Sequence, residues 1–126
     1  MIIDSNIIIY SVRPEHIKLR FFLASNFIIC SQISVVKTLG YHLLDDQDKQ
    51  FLEYFFQDVY VVRIEDAIIK IAIELKQKRK VTLGDSIIAA TAALHYNFPL
   101  VTNNESDFTH IPGLAVINPL KEQFGK

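Results

Sequence analysis

The sequence predicts an α/β fold: a three-layer sandwich with a mainly parallel central sheet. Three observations lead there. Short apolar runs of strand length alternate with helical patterns along the whole chain. Those runs are apolar at nearly every position, as strands are when helices cover both sheet faces. Half of the 126 residues are hydrophobic, enough for one compact domain, residues 1–126, with a real core.

Each element has its own signal. Ile2 and Ile3 form a short buried strand ahead of Asp4. "SNIIIYSV" and "PEHIKLRFFLAS" are helical, with Ser5 placed to cap the first and Pro14 near the first turn of the second. "FIIC", residues 27–30, is a continuous apolar strand, and Ser31 or Ser34 caps the helix that follows. "DDQDKQFLEYFFQD" has aspartates at its front and apolar residues three and four apart, as an amphipathic helix requires. "VYVVRI", residues 59–64, is β-branched and aromatic, hence a strand. "EDAIIKIAIELKQKRK" is acidic at its start and basic at its end, with Ile68, Ile69, Ala72, Ile73 and Leu75 on the inner side. "GDSIIAATAALHYN" is the last helix, and "PLVT" and "LAVIN" are short strands.

Composition narrows the function. With 13 basic against 14 acidic residues, no global positive field advertises nucleic-acid binding, so any such contact is local. The lone Cys30 sits in an apolar run and reads as a buried thiol. A single cysteine excludes an internal disulfide and fits a cytoplasmic setting. Asp4, Ser5 and Asn6 interrupt the first apolar run, so it is not a signal peptide, and no membrane span is expected. There is no Gly-rich phosphate loop, no zinc spacing, and no nucleophile beside His16, His42, His95 or His110.

Three acidic spots fall where α/β folds gather chemistry, at strand ends and helix starts. Asp4 follows the first strand. Asp85 opens the last helix. "TNNESDF" follows "PLVT" and offers Thr102, Asn103, Asn104, Glu105 and Asp107. Singly, each has an ordinary explanation: a cap or Asx turn, a helix-dipole partner, a polar loop. Gathered on one edge, the carboxylates would repel one another and call for a cation. Oxygen ligands suit Mg²⁺ or Mn²⁺, and such a centre hydrolyses phosphodiesters.

"IIDSNIIIY" resembles the opening of PIN-domain proteins. "LGDSIIAATAALHYNFPLVTNNESDFTHIPGLAVINP" resembles their final third in order, spacing and length. The nearest kin the resemblance suggests are VapC-type toxins of bacterial toxin–antitoxin pairs. It implies a sheet of order 3-2-1-4-5 and a divalent-metal-dependent ribonuclease with Asp4, Asp85 and Asp107 as the acidic, metal-holding centre. Ser5 or Asn6, Thr102, and Asn103 or Asn104 map onto the supporting polar residues. It also implies an RNA substrate and a small antitoxin partner, whose acidic side chain would pair with a lysine at the site.

The family places a glutamate in a pattern like I-[ST]-x-x-E-x-L-G-Y; here "ISVVKTLGY" puts Lys37 there. No nearby acid substitutes, since Asp45 and Asp46 lie roughly 12 Å on along a continued helix. A lysine removes a ligand and reverses a charge, an effect of several kcal/mol beside a divalent cation at about 4 Å and an effective dielectric near ~20. The expectation is a lysine facing the acidic site and impaired cleavage; the alternative is a shifted helix with Lys37 in water. A nuclease-deficient PIN domain that binds protein or RNA is the second functional reading. "KQKRK", residues 76–80, is a favourable helix end first and a phosphate-contact patch second. Tyr54, Phe55 and Phe56, where exposed, suit a homodimer or an antitoxin groove.

Overall fold

Backbone pairing joins five short strands into one sheet. They are β1 (Ile2–Ile3), β2 (Ile29–Ser31), β3 (Tyr60–Val62), β4 (Leu100–Val101) and β5 (Val116–Ile117). The computed structural model describes residues 1–121. The order is β3-β2-β1-β4-β5 and every pairing is parallel. This is the strand order the family resemblance implies, and the sheet is wholly rather than mainly parallel. β1 is central, with Ile2 opposite both Ile29 and Leu100. The chain runs outward from β1 through β2 to β3, then returns to β1's other side. That reversal opens a crevice at the carboxyl ends of β1 and β4.

Strand alternation divides the core in two. Ile3, Cys30 and Val101 face one layer, with Ile7 and Ile8 of α1 (Ser5–Ser11), Leu19 and Leu23 of α2 (Ile17–Ala24) and Leu52 of α4 (Asp46–Asp58). Ile2, Ile29 and Leu100 face the other, with Ile88, Ala89 and Ala92 of α6 (Leu83–Leu94) and with Phe108. Ile68 and Ala72 of α5 (Asp66–Lys78) pack on α6 in the same layer. A period of two along each strand is what separates the layers. The helix α3 (Gln32–Leu39) follows β2 and touches α1, α4 and α6.

Several local expectations are corrected. Asp4, not Ser5, caps α1: its carboxylate accepts from the Ser5 backbone N–H. Ser31 caps α3, while the Ser34 hydroxyl lies 2.8 Å from that of Ser5. The stretch 14–25 divides into a 3₁₀ turn at Pro14–His16 and α2, since proline favours a first turn and supplies no N–H. The second strand starts two residues later than "FIIC" and ends one later, and Phe27 is 63% exposed. Ile69 and Ile73 of α5 lie outside the core, at 44% and 52% exposure. The helix is amphipathic, but its apolar positions span more of the circumference than one contact face covers. Cys30 is fully buried, and burial pushes its thiol pKa up to about 12.

Phe108 is fully buried beneath the loop after β4. Phe108→Ala is therefore expected to cost about 3–5 kcal/mol in urea denaturation. Ile73→Ala should stay within about 0.5 kcal/mol of wild type. Equal losses from the two changes would contradict this division of core and surface.

Candidate active site

The crevice is built from the ends of β1 and β4 and the starts of the helices that follow. Asp4 leaves β1 directly, and its backbone N–H donates to Val101 O at 3.0 Å, which locks it to β4. Its side chain is 2% exposed. Oδ1 accepts from Ser5 N at 2.7 Å and Oδ2 accepts from the Thr102 hydroxyl at 2.7 Å. Thr102 leaves β4, is fully buried, and also accepts from Asn104 N at 3.0 Å. So one hydroxyl links the first acidic residue to the loop that carries Asp107.

Burial pushes the Asp4 carboxyl above the ordinary aspartate value of 3.8, and the Asp85 charge adds to that; the Thr102 and Ser5 hydrogen bonds and the Lys37 charge oppose it. Burial is the largest cause, as expected for a carboxylate taken out of water with few partners.

Asp85 stands in the first turn of α6, where the Thr82 side chain caps the helix by accepting from Asp85 N. Lys37, in the last turn of α3, reaches across to it: Nζ lies 4.0 Å from Asp85 Oδ1. The lysine side chain is 37% exposed and that of Asp85 22%. Such a half-solvated pair is worth about 1 kcal/mol or less by itself. Its significance is positional. Lys37 lies over Gly84, where an added Cβ would sit 3.2 Å from Nζ and 3.3 Å from Cδ. The lysine thus reaches Asp85 while its side chain stays 37% exposed.

Asp107 is half-buried on a 3₁₀ turn (Glu105–Asp107). Asp85 and Asp107 line a cavity of about 440 Å³ with Arg79, Lys80, Val81 and Thr82. Asp4 does not line it. Thus Asp85 stands between two neighbourhoods, one shared with Asp4 and Lys37, the other with Asp107 and the basic end of α5. Among the described residues, no group of three or more His, Cys, Asp or Glu side chains converges in a way that would hold a metal ion. With Lys37 beside Asp85, this arrangement does not fit a bound divalent cation at rest.

The remaining polar residues separate by role. Asn6 is half-buried in the first turn of α1. Asn103 donates weakly to the Tyr10 hydroxyl at 3.5 Å, and its Oδ1 is buried with no hydrogen-bond partner among the described residues. Asn104 contributes its backbone N–H, with its side chain exposed. Glu105 is turned to the C-terminal strand, where Asn118 and Lys121 hold its carboxyl below the usual range. In "KQKRK", Lys76 Nζ donates to Val81 O at 2.8 Å and closes the α5–α6 connection. Arg79 bonds the His110 ring at 2.7 Å. Sequence reasoning missed Gly84 and the Arg79–His110 pair, since neither carries a signal without the chain crossing that brings them together.

A second concavity lies away from the acidic crevice, between α2 and α4. It measures about 520 Å³ and is lined by Phe21, Phe27, Phe51, Tyr54 and Phe55 among others. Phe21 is 67% and Tyr54 59% exposed, whereas Phe55 and Phe56 are half-buried.

Comparison with known proteins follows the same outline. A family profile for the PIN domain matches residues 1–114. A "Ribonuclease VapC" from Rickettsia bellii (strain RML369-C) is 48% identical over 48 residues, which is 36% of this chain and 35% of that protein. The match thus spans about a third of that relative's length. A toxin–antitoxin complex from Klebsiella pneumoniae superposes with TM-score 0.70 at 29% identity, covering 94% of this chain and 96% of that one. VapBC2 from Rickettsia felis, bound to a DNA fragment from its promoter, superposes with TM-score 0.69 at 24% identity, over 93% and 96% of the two chains.

Two outcomes are expected here. Thr102→Val leaves Asp4 Oδ2 without its buried donor and should cost about 1–3 kcal/mol in chemical denaturation; a neutral result would mean the contact is not formed. Because the Asp4 carboxyl is raised in the folded protein, the unfolded chain gives up that proton first. Its contribution to stability is therefore lost as pH rises above 3.8 and levels off once the folded carboxyl ionises too. Asp4→Asn lacks this loss. Its unfolding free energy relative to wild type should improve from acid towards neutral pH, and a flat or opposite trend would contradict the raised value.

Proposed function

The chain belongs to the PIN domain family, and from that premise we propose that it is a ribonuclease of the VapC type, the toxin half of a toxin–antitoxin pair. The observation that carries the reading is the Asp4–Thr102 contact at the end of β1, with Asp85 close enough to raise the Asp4 pKa. Asp4, Asp85 and Asp107 are the catalytic carboxylates, and Ser5, Asn6, Thr102, Asn103 and Asn104 support them. The reaction is hydrolysis of an RNA phosphodiester. The family resemblance implies Mg²⁺ or Mn²⁺, an ion that the resting arrangement, with Lys37 beside Asp85, does not fit.

The chain's own residues account for the preparation of the site. Ser5 N and the Thr102 hydroxyl fix both oxygens of Asp4, so the carboxylate needs no reorientation when substrate arrives. Arg79 and Lys80 line the cavity beside Asp85 and Asp107 and offer positive charge to an RNA backbone, which makes binding salt-dependent.

Lys37 impairs this site. It brings a positive charge and no acceptor to the place where the family pattern has a carboxylate. The same contact favours a second reading, a nuclease-deficient PIN domain that binds RNA or protein without cutting. The partner is a small antitoxin. The apolar groove between α2 and α4, with Phe21 and Tyr54 exposed, is a surface for it or for a second copy of the chain. Among the described residues no helix is long and apolar enough to cross a membrane.

Cleavage of structured RNAs with Mn²⁺ separates the readings. The ribonuclease reading expects slow cleavage by the wild type, lost by a factor of about 100 or more in Asp4→Asn and raised in Lys37→Glu. Cleavage by Lys37→Glu alone supports the binding module. Residual activity unchanged in Asp4→Asn would remove the acidic centre from the mechanism.

A further inference from the structure

We propose that the Lys37 ammonium is a tethered cation that serves the acidic crevice in place of a divalent ion, so that the folded protein neutralises its own site and excludes metal until the lysine is moved. The inference rests on the reading of Asp4 and Asp85 as the acidic centre and goes beyond it, because it concerns what occupies that centre at rest.

Three observations carry it. First, Lys37 is aimed. It projects from the last turn of α3 and ends 4.0 Å from Asp85 Oδ1, on a different helix. Second, the opposite helix makes room for it. Gly84 is in the first turn of α6, and a Cβ there would come within 3.2 Å of Nζ, 3.3 Å of Cδ and 3.6 Å of Cε. Glycine costs helix stability relative to alanine, and here the absence of a Cβ lets the end of the lysine side chain lie close to the α6 backbone. Third, among the described residues no other cation is paired with these carboxylates. Asp4 is buried and accepts from two neutral donors, and the only ion pair that reaches either Asp4 or Asp85 among the described residues is the one with Lys37. Arg79 and Lys80 line the cavity beside Asp85, but neither forms an ion pair with it among the described residues.

The consequence is competition. An ammonium and a divalent ion beside the same carboxylates repel each other, so metal entry requires the lysine to leave Gly84. Removing the charge while keeping the stem should relieve the competition without disturbing the packing. Lys37→Met does this, and its side chain is partly exposed at the surface, so folding is not at stake.

The test measures metal binding rather than cleavage. Mn²⁺ is titrated calorimetrically into the full chain, wild type beside Lys37→Met and Lys37→Glu, and melting is followed in Mn²⁺ and in EDTA. The expected result is an affinity about tenfold or more higher in Lys37→Met, and higher again in Lys37→Glu. Melting of the two variants should become Mn²⁺-dependent while that of wild type stays the same in either buffer. Wild-type binding within about threefold of both variants, or wild-type melting raised by Mn²⁺ as much as theirs, overturns the proposal. Either result leaves the nuclease reading to its own test, the loss of cleavage in Asp4→Asn.

Discussion

Burial of the Asp4 carboxylate at the end of the central strand is the constraint around which this molecule is arranged. A carboxylate 2% exposed is costly to ionise unless its oxygens are met. The chain meets them with the next backbone N–H and with Thr102, a residue 98 positions away. That second contact exists only because β1 and β4 lie side by side in parallel. The sheet order and the site are therefore one fact: the strand exchange that defines the fold is also what supplies Asp4 with its donor.

Charge is distributed around that point in layers. Asp85 raises the cost of ionising Asp4, and Lys37 lowers it. Lys37 and Asp85 meet across α3 and α6. Further out, Arg79 and Lys80 border Asp85 and Asp107. A chain with a formal net charge of −1 thus places its positive charge locally, which is how a nearly neutral protein approaches a polyanion. Glu105, by contrast, is pinned to Asn118 and Lys121 and belongs to the framework rather than to the crevice.

Much of this was legible in the sequence, for definable reasons. Strand and helix alternation predicts the α/β class, and fully apolar strands predict parallel pairing. Asp4, Thr102 and Asp85 stand at strand ends and helix starts, which topology alone places on one edge. Other features were not legible. Hydrophobicity cannot tell that Ile69 and Ile73 face outward, since an isoleucine at a surface position has the same period as its buried neighbours. Ser5 and Asp4 are both good caps, and the choice fell to Asp4 because its backbone is extended as β1 ends. The Gly84 contact depends on how α3 crosses α6, a distance that no local pattern encodes. Asp107 lines a cavity with Asp85, a placement that depends on the turn at Glu105–Asp107.

A lysine amine lies close to Gly84 and beside Asp85, and in the proposed arrangement it keeps a divalent ion from the acidic residues. Crystals grown in dilute Mn²⁺ and measured at the manganese absorption edge address it directly. The account predicts no anomalous peak between Asp4 and Asp85, with Lys37 Nζ resting on Gly84. A manganese ion bound to both aspartates in the wild-type protein would contradict it.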